Sequence, residues 1–338
     1  RELLNTLPRF CRDYFHDISD YTSTRTRLAY AYDLRVFFEF MQKNNSVCAQ
    51  YEMTQIPIDV LDQITKSDIN EYLDYMNLYE KDGKKITNHE RGKSRKLASL
   101  RSFYNYYFTS EKIKTNPAAL IKLPKLHEKE IIRLEPNETA TLLDQVEDGS
   151  KLTKKQLEYH KKTRVRDVAL LTLLLGTGIR VSECVGLNLN DVDLENGGLT
   201  VHRKGGYNSI VYFGDEVELA LREYMEVREN IVPVTGHEEA LFLSLQQKRI
   251  GVRAVENLVK KYAQNTTTLK KITPHKLRST YGTALYNETG DIYLVANVLG
   301  HKDVNTTRKH YAAVQDETRR KAANAVKLRS DADGGKKD

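Results

Sequence analysis

The sequence predicts a mainly α protein with a small antiparallel β-sheet, divided into an all-helical N-terminal domain and a larger α+β C-terminal domain. Three observations predict it. Apolar residues recur at helical spacing over most of the chain. Strand character is confined to two short segments about a glycine-bearing connection. A charged, proline-bracketed stretch near residue 125 separates two lengths that can each hold a core. The 338 residues are 40% hydrophobic and 29% charged, a globular composition rather than a disordered or membrane one.

The first clear helix spans residues 22–41, with Leu28, Tyr32, Phe37 and Phe40 at helical spacing and Thr22 or Ser23 available as N-cap. A second is expected over 66–78. A third covers about 94–109, where Leu97, Leu100, Tyr104 and Tyr107 alternate with basic residues, so one face packs while the other is open to phosphate. Asn116-Pro117 ends that pattern. From Lys122 to Pro136 the chain is charged, with Pro124 and Pro136 bracketing Lys125, His127, Glu128, Lys129 and Glu130. The domains are therefore drawn as residues 1–125 and 126–338. Beyond the boundary, helices are expected at 139–146 and 166–175, followed by a Gly176-Thr177-Gly178 turn. Residues 199–203 and 209–213 then read as strands flanking Lys204-Gly205-Gly206-Tyr207-Asn208, a hairpin connection. Helical pattern returns over 216–228, 254–263, 274–287 and 291–299, the last stopping at Gly300. No internal repeat is evident.

Lys and Arg outnumber Asp and Glu by 53 to 46, a net charge of +7 that favours a polyanionic partner. The clustering says more. Between residues 84 and 101 lie Lys84, Lys85, Arg91, Lys93, Arg95, Lys96 and Arg101 against the single acid Glu90, and these seven are the candidate DNA-binding residues. A second basic stretch, 151–166, repeats the pattern, with Glu158 alone opposing it. The three cysteines, Cys11, Cys48 and Cys184, are widely spaced without any CxxC pair, so neither a disulfide framework nor a zinc site is indicated. The longest apolar stretch, 168–175, is far short of the ~20 residues that a bilayer core demands. No basic-then-apolar leader stands at Arg1, and a cytoplasmic location is the expectation.

Thr273-Pro274 is a strong helix start, which puts His275 and Arg278 near the N-terminus of that helix at i and i+3, where an imidazole and a guanidinium suit an anion such as phosphate. Alone, His-x-x-Arg is a common surface pair. Its company changes the weighing: Gly178-Ile179-Arg180-Val181-Ser182-Glu183, then Lys204-Gly205-Gly206, then His275 and Arg278, Leu299-Gly300-His301, and Tyr311. In this order the set resembles the tyrosine recombinase family, which includes phage integrases, Xer recombinases and Cre. The resemblance runs from about residue 164 to 313 through specific motifs and more loosely over the helical N-terminal region. It departs at Ser279, where many relatives carry a second histidine.

The chemistry is legible in the residues as well. Cleaving a phosphodiester without a metal needs positive charge on its non-bridging oxygens, a nucleophile and a proton donor. Arg180 and Arg278 suit the first task, because guanidinium groups stay charged and offer paired N–H donors matched to phosphate. Tyr311 is the candidate nucleophile, His275 its base and Lys204 the proton donor to the departing 5′-oxygen. The resemblance implies that His301 hydrogen-bonds a phosphate oxygen and that the intermediate is a 3′-phosphotyrosine. Neither a Walker A motif nor an acidic metal triad occurs, and no cofactor or metal is expected. The resemblance further implies an N-terminal core-binding domain and a catalytic domain that clamp duplex DNA at specific recombination sites. A C-terminal helix, with Ala323, Val326 and Leu328, would dock on a neighbouring protomer in a homotetramer. Two other readings stay open here: a topoisomerase of the same chemistry, and a non-catalytic DNA-binding protein of the same fold. His310 and Tyr281 read as packing or surface residues.

Overall fold

The computed structural model describes residues 2–81, 83–122, 131–203, 206–267, 270–301, 303, 304 and 307. Contacts divide the chain into two compact units, Arg1–Glu128 and Lys129–Asp338. Most of the expected linker, residues 123–130, lies outside the described residues.

The first unit holds helices α1 (Cys11–Asp17), α2 (Thr24–Asn44), α3 (Val60–Gln63), α4 (Lys66–Tyr75) and α5 (Glu90–Thr109), with strands β1 (Tyr79–Lys81) and β2 (Lys84–Ile86) between α4 and α5. Its core is aromatic. Tyr14, Phe37, Phe38, Tyr72, Phe103, Tyr104 and Tyr107 are fully buried, and edge-on pairs of Tyr14 with Phe103 (centroids 5.3 Å apart), Phe38 with Phe103 (6.0 Å) and Phe37 with Tyr72 (5.2 Å) join α1, α2, α4 and α5. Ser23 caps α2, its hydroxyl accepting from the Thr26 amide at 3.2 Å. Of the four apolar residues expected to face the core from α2, Phe37 and Phe40 do so, together with Ala31, Leu34, Phe38 and Met41, whereas Leu28 and Tyr32 are about half exposed. A closed capping box starts α4, with Thr65 and Asp68 exchanging bonds.

This unit is not all-helical, a correction to the expectation. β1 and β2 pair antiparallel, with Tyr79 opposite Ile86 and Lys81 opposite Lys84. Helix α4 therefore stops at Tyr75, and Leu78 stands outside it. Strands of three residues are too short, and here too charged, to raise a period-2 signal, although the Asp82-Gly83 between them is a favoured hairpin connection.

The second unit contains α6 (Pro136–Asp148), α7 (Lys154–Thr177), α8 (Val181–Gly186), β3 (Val192–Asp193), β4 (Gly198–His202), β5 (Asn208–Tyr212), α9 (Asp215–Glu229), α10 (Val252–Thr266), α11 (Pro274–Thr289) and α12 (Ile292–Leu299). Helix α7 is its axis: Leu170, Leu171, Leu173 and Leu174 are buried, and α9, α11 and α6 pack around them. It starts twelve residues before the expected Arg166, because a Thr153–Gln156 capping box opens it within the basic stretch. Lys154, Lys155, Lys161, Lys162 and Arg164 are exposed there, whereas Arg166 pairs with the buried Asp167 at 2.6 Å. Strands β3, β4 and β5 form an antiparallel sheet in that order, with Leu199 opposite Val211 and Val201 opposite Ser209. Leu199, Val201 and Val211 face the core, while Ile210 and Tyr212 point outward. The three cysteines are free thiols and buried. No helix among the described residues is long and apolar enough to cross a membrane.

Candidate active site

Four of the six expected catalytic residues, Arg180, His275, Arg278 and His301, are described; Lys204 and Tyr311 lie outside the described residues. Helix α7 ends at Thr177, and Gly178 closes it in the left-handed region (φ 62°), its amide donating to the Leu174 carbonyl at 3.1 Å. A Cβ at Gly178 would lie 2.4 Å from Cδ1 of Tyr281, so backbone angle and space both require glycine. Two residues on, Arg180 is the N-cap of α8. Its amide donates to Glu183 Oε2 and its Nη1 to Glu183 Oε1, both at 2.7 Å, and its Nη2 reaches the Gly300 carbonyl at 3.2 Å. The Arg180 side chain remains 39% exposed, within reach of a ligand.

Helix α11 begins at Pro274 after an extended Thr273, as the dipeptide predicts, but the Thr273 hydroxyl makes no capping bond. The Thr273 carbonyl instead accepts from the amides of Lys276 and Leu277. Arg278 is buried: Nη1 donates to the Gly178 carbonyl at 2.6 Å and Nη2 to the Leu299 carbonyl. It thus ties the end of α7 to the end of α12. One turn earlier on α11, His275 is exposed. Ser279, the departure from the family pattern, donates to the His275 carbonyl at 3.1 Å. Helix α12 ends at Gly300 (φ 62°), and the next residue, His301, places its Nδ1 2.7 Å from the hydroxyl of the buried Thr307, which orients the imidazole. Tyr281 packs its ring on Gly178 and the Leu299 side of α12, and burial pushes its phenol above the usual range.

The C-terminal end of α12 is where these parts meet. A helix leaves its last carbonyls without intrahelical partners and carries partial negative charge there. The carbonyls of Val298, Leu299 and Gly300 each accept from a different guanidinium: Arg203, Arg278 and Arg180 in turn. Arg203 is absent from the expected set. Its sequence signal is only its place beside Lys204.

The N-terminal basic cluster does not behave as one surface. Lys84, Lys85 and Arg91 are exposed and Lys93 half-buried. Arg95 instead grips Asp33 through two bonds of 2.5 and 2.6 Å, and the buried Lys96 bonds the same carboxylate at 3.0 Å. Arg101 donates to the carbonyls of Ala118 and Ile121. Lys96 in particular is held inside by a buried aspartate on α2 that charge counting along the sequence cannot see.

Residues 133–318 match the model of the phage integrase family. The chain is 34% identical to tyrosine recombinase XerC of Caldanaerobacter subterraneus subsp. tengcongensis, over 89% of this chain and 81% of that one. It is 30% identical to tyrosine recombinase XerS of Streptococcus agalactiae, over 94% and 95%. Its fold is similar to XerH site-specific recombinase in a post-cleavage complex with palindromic difH substrate (TM-score 0.67, 21% identity, 89% of this chain and 79% of that one). It is also similar to the Tn1549 transposon integrase in complex with transposon right end DNA (TM-score 0.68, 20% identity, 92% and 99%). A family model over more than half the chain, and relatives of this identity along most of its length, establish that the chain belongs to the phage integrase family, the tyrosine recombinases.

Proposed function

We propose that this chain is a site-specific DNA recombinase that cleaves and rejoins strands through a covalent 3′-phosphotyrosine at Tyr311. The observation that carries the reading is the seating of Arg180 and Arg278 on adjacent carbonyls at the end of α12, one residue before His301. Two guanidinium groups held side by side suit the non-bridging oxygens of one phosphodiester as it becomes pentacoordinate. Tyr311 attacks phosphorus as its phenolic proton passes to His275. The bond from phosphorus to the 5′-oxygen breaks, and Lys204 protonates that oxygen. A 5′-hydroxyl from a second strand then reverses the sequence. The bond energy is kept in the phosphotyrosine, so rejoining needs no nucleotide.

The partner is duplex DNA carrying specific recombination sites, in keeping with the DNA complexes of XerH and of the Tn1549 integrase. Residues of the N-terminal unit, Lys84, Lys85, Arg91 and Lys93, contribute phosphate contacts. The segment after Tyr311 docks on a neighbouring protomer, giving a homotetramer on two sites in the cytoplasm, whether for integration, excision or dimer resolution.

The test is a nicked suicide duplex carrying candidate sites. A covalent adduct with wild type, lost in Tyr311→Phe, supports the chemistry, and exchange between two labelled duplexes supports recombination over relaxation. No adduct on DNA that the protein binds sequence-specifically overturns the reading.

A further inference from the structure

Arg203 follows the last residue of β4 and immediately precedes Lys204. Its backbone helps close the hairpin: its amide donates to the Tyr207 carbonyl at 3.0 Å, and its carbonyl accepts from the Gly206 amide at 3.2 Å. Its side chain turns the other way, into the protein, and the residue is only 7% exposed. There Nη2 donates to the Val298 carbonyl at 3.1 Å. The guanidinium lies directly over Gly300: a Cβ at that position would sit 1.1 Å from Nη1 and 2.2 Å from Cζ. The left-handed glycine that ends α12 is therefore also the seat of this side chain.

Nε of Arg203 is buried without a hydrogen-bond partner among the described residues. An unpaired buried donor on a charged group is costly, and its presence in a native structure calls for an explanation. The neighbours supply one. Arg203 takes the Val298 carbonyl, Arg278 the next and Arg180 the one after, so the hairpin is pinned to the same three-residue step that fixes the two phosphate-binding arginines and leads into His301.

We propose that Arg203 is a positioning residue. It anchors the base of the hairpin to the end of α12, so that Lys204 is delivered to the 5′-oxygen of the phosphodiester held by Arg180 and Arg278. This rests on the reading of Lys204 as proton donor given above. A displacement of about 1 Å at a reacting group can lower a rate on the order of 100-fold, and removing a general acid lowers it by about 10²–10⁴-fold.

The experiment uses the full chain and a duplex bearing the cleavage site mapped from DNA trapped by the wild-type protein. The duplex is prepared with an ordinary scissile phosphate and again with sulfur in place of the bridging 5′-oxygen. A thiolate leaves without being protonated, so the sulfur substrate bypasses the proton donor. Arg203→Met is expected to slow cleavage of the oxygen substrate by about 10–100-fold, to cleave the sulfur substrate at nearly the wild-type rate, and to bind DNA as wild type does. Arg203→Lys, which keeps a donor for the Val298 carbonyl, is expected to recover part of the loss and carries the same comparison if Arg203→Met does not fold. Equal slowing on both substrates, or no slowing on either, overturns the proposal while Lys204→Ala remains rescued by sulfur. If sulfur fails to rescue Lys204→Ala itself, the proton-donor reading falls and the proposal falls with it.

Discussion

Replacing Asp33 by alanine removes the one carboxylate that serves both Arg95 and Lys96. The structure says which of the two suffers. The Arg95 side chain is 51% exposed and can swing into water, whereas that of Lys96 is 8% exposed and Asp33 itself 2%, so the lysine is left as a buried charge without its counter-ion. Breaking a buried pair from one side costs about 3–5 kcal/mol. Lys96→Met is milder, because Asp33 keeps both Arg95 bonds and the Ser99 hydroxyl at 3.2 Å, and about 1–2 kcal/mol is expected. The double variant is expected to be more stable than Asp33→Ala alone, since the stranded charge has gone. Hydrogen exchange read on peptides of α2 and α5 reports this unit separately from the rest of the chain. Protection should fall by about two to three and a half orders of magnitude in Asp33→Ala, as each 1.4 kcal/mol is tenfold. The reasoning is refuted if Lys96→Met leaves protection unchanged and instead lowers the salt slope of DNA affinity, the signature of a phosphate contact.

The exposed part of the same cluster should behave in the opposite way. Neutralising Lys84, Lys85, Arg91 and Lys93 one at a time should leave protection intact and flatten log Kd against log salt by about 0.9 for each phosphate no longer neutralised; an unchanged slope removes that residue from the interface. At the start of α4, burial raises the Asp68 carboxyl, but bonds from the Thr65 hydroxyl and amide and from Asn45 outweigh it and hold the group below its usual range. A carboxyl depressed on folding stabilises above its unfolded pKa, and that contribution is lost as pH falls through the lower folded value. Asp68→Asn should therefore cost about 0.5–2 kcal/mol at pH 7 and progressively less in acid, checked by urea midpoints from pH 7 down to 3. Burial pushes the Cys48 thiol up to about 11, Cys184 to about 12 and Cys11 well above its ordinary value. At pH 8 the folded chain should be inert to a disulfide-exchange reagent, and all three thiols should react after unfolding. Reaction in the native state faster than global opening would contradict the burial.

How much of this was legible in the sequence depends on the range of the forces involved. Arg180, His275, Arg278 and His301 could be named because they recur in a fixed order with glycine and proline at positions whose backbone demands them, such as Gly178 and Gly300. Long helices such as α2, α5 and α7 announced themselves by period, although capping decided where α7 began. What local pattern could not give was pairing across the chain. Asp33 and Lys96 are 63 residues apart, and a carboxylate on a helix face reads as solvated until its partner is known. The same holds for Arg203, whose reach to Val298 spans 95 residues. The β1–β2 hairpin failed for a different reason, since three-residue strands carry too little periodicity to compete with the helical pattern before them.

The choice of partners for the arginines bears on how the site can work. A guanidinium held by a carboxylate is positioned but largely neutralised. One held by a carbonyl is positioned at the expense of only a partial charge, about half an electron shared over a whole helix end. Arg278 and Arg203 are bonded to carbonyls at the end of α12, and Arg180 adds one carboxylate, Glu183, which also caps α8. Two of the three cations, Arg203 and Arg278, are therefore held through carbonyls that return only partial charge, and with Arg180 offset in part by Glu183 this set of groups keeps an excess of positive charge. That preorganised excess is what a phosphodiester gaining negative charge in its transition state requires. It leads to a distinction between the two ways of holding an arginine: Glu183→Gln, which keeps the shape and removes the charge, should weaken the capping of α8 and lower thermal stability. It should also leave the positive field at the phosphate undiminished, so that cleavage at a temperature where the variant is folded proceeds within about threefold of wild type, a difference of under 1 kcal/mol. A loss on the order of 100-fold at that temperature would mean that the Glu183 charge, and not the carbonyls alone, sets the Arg180 geometry on which cleavage depends.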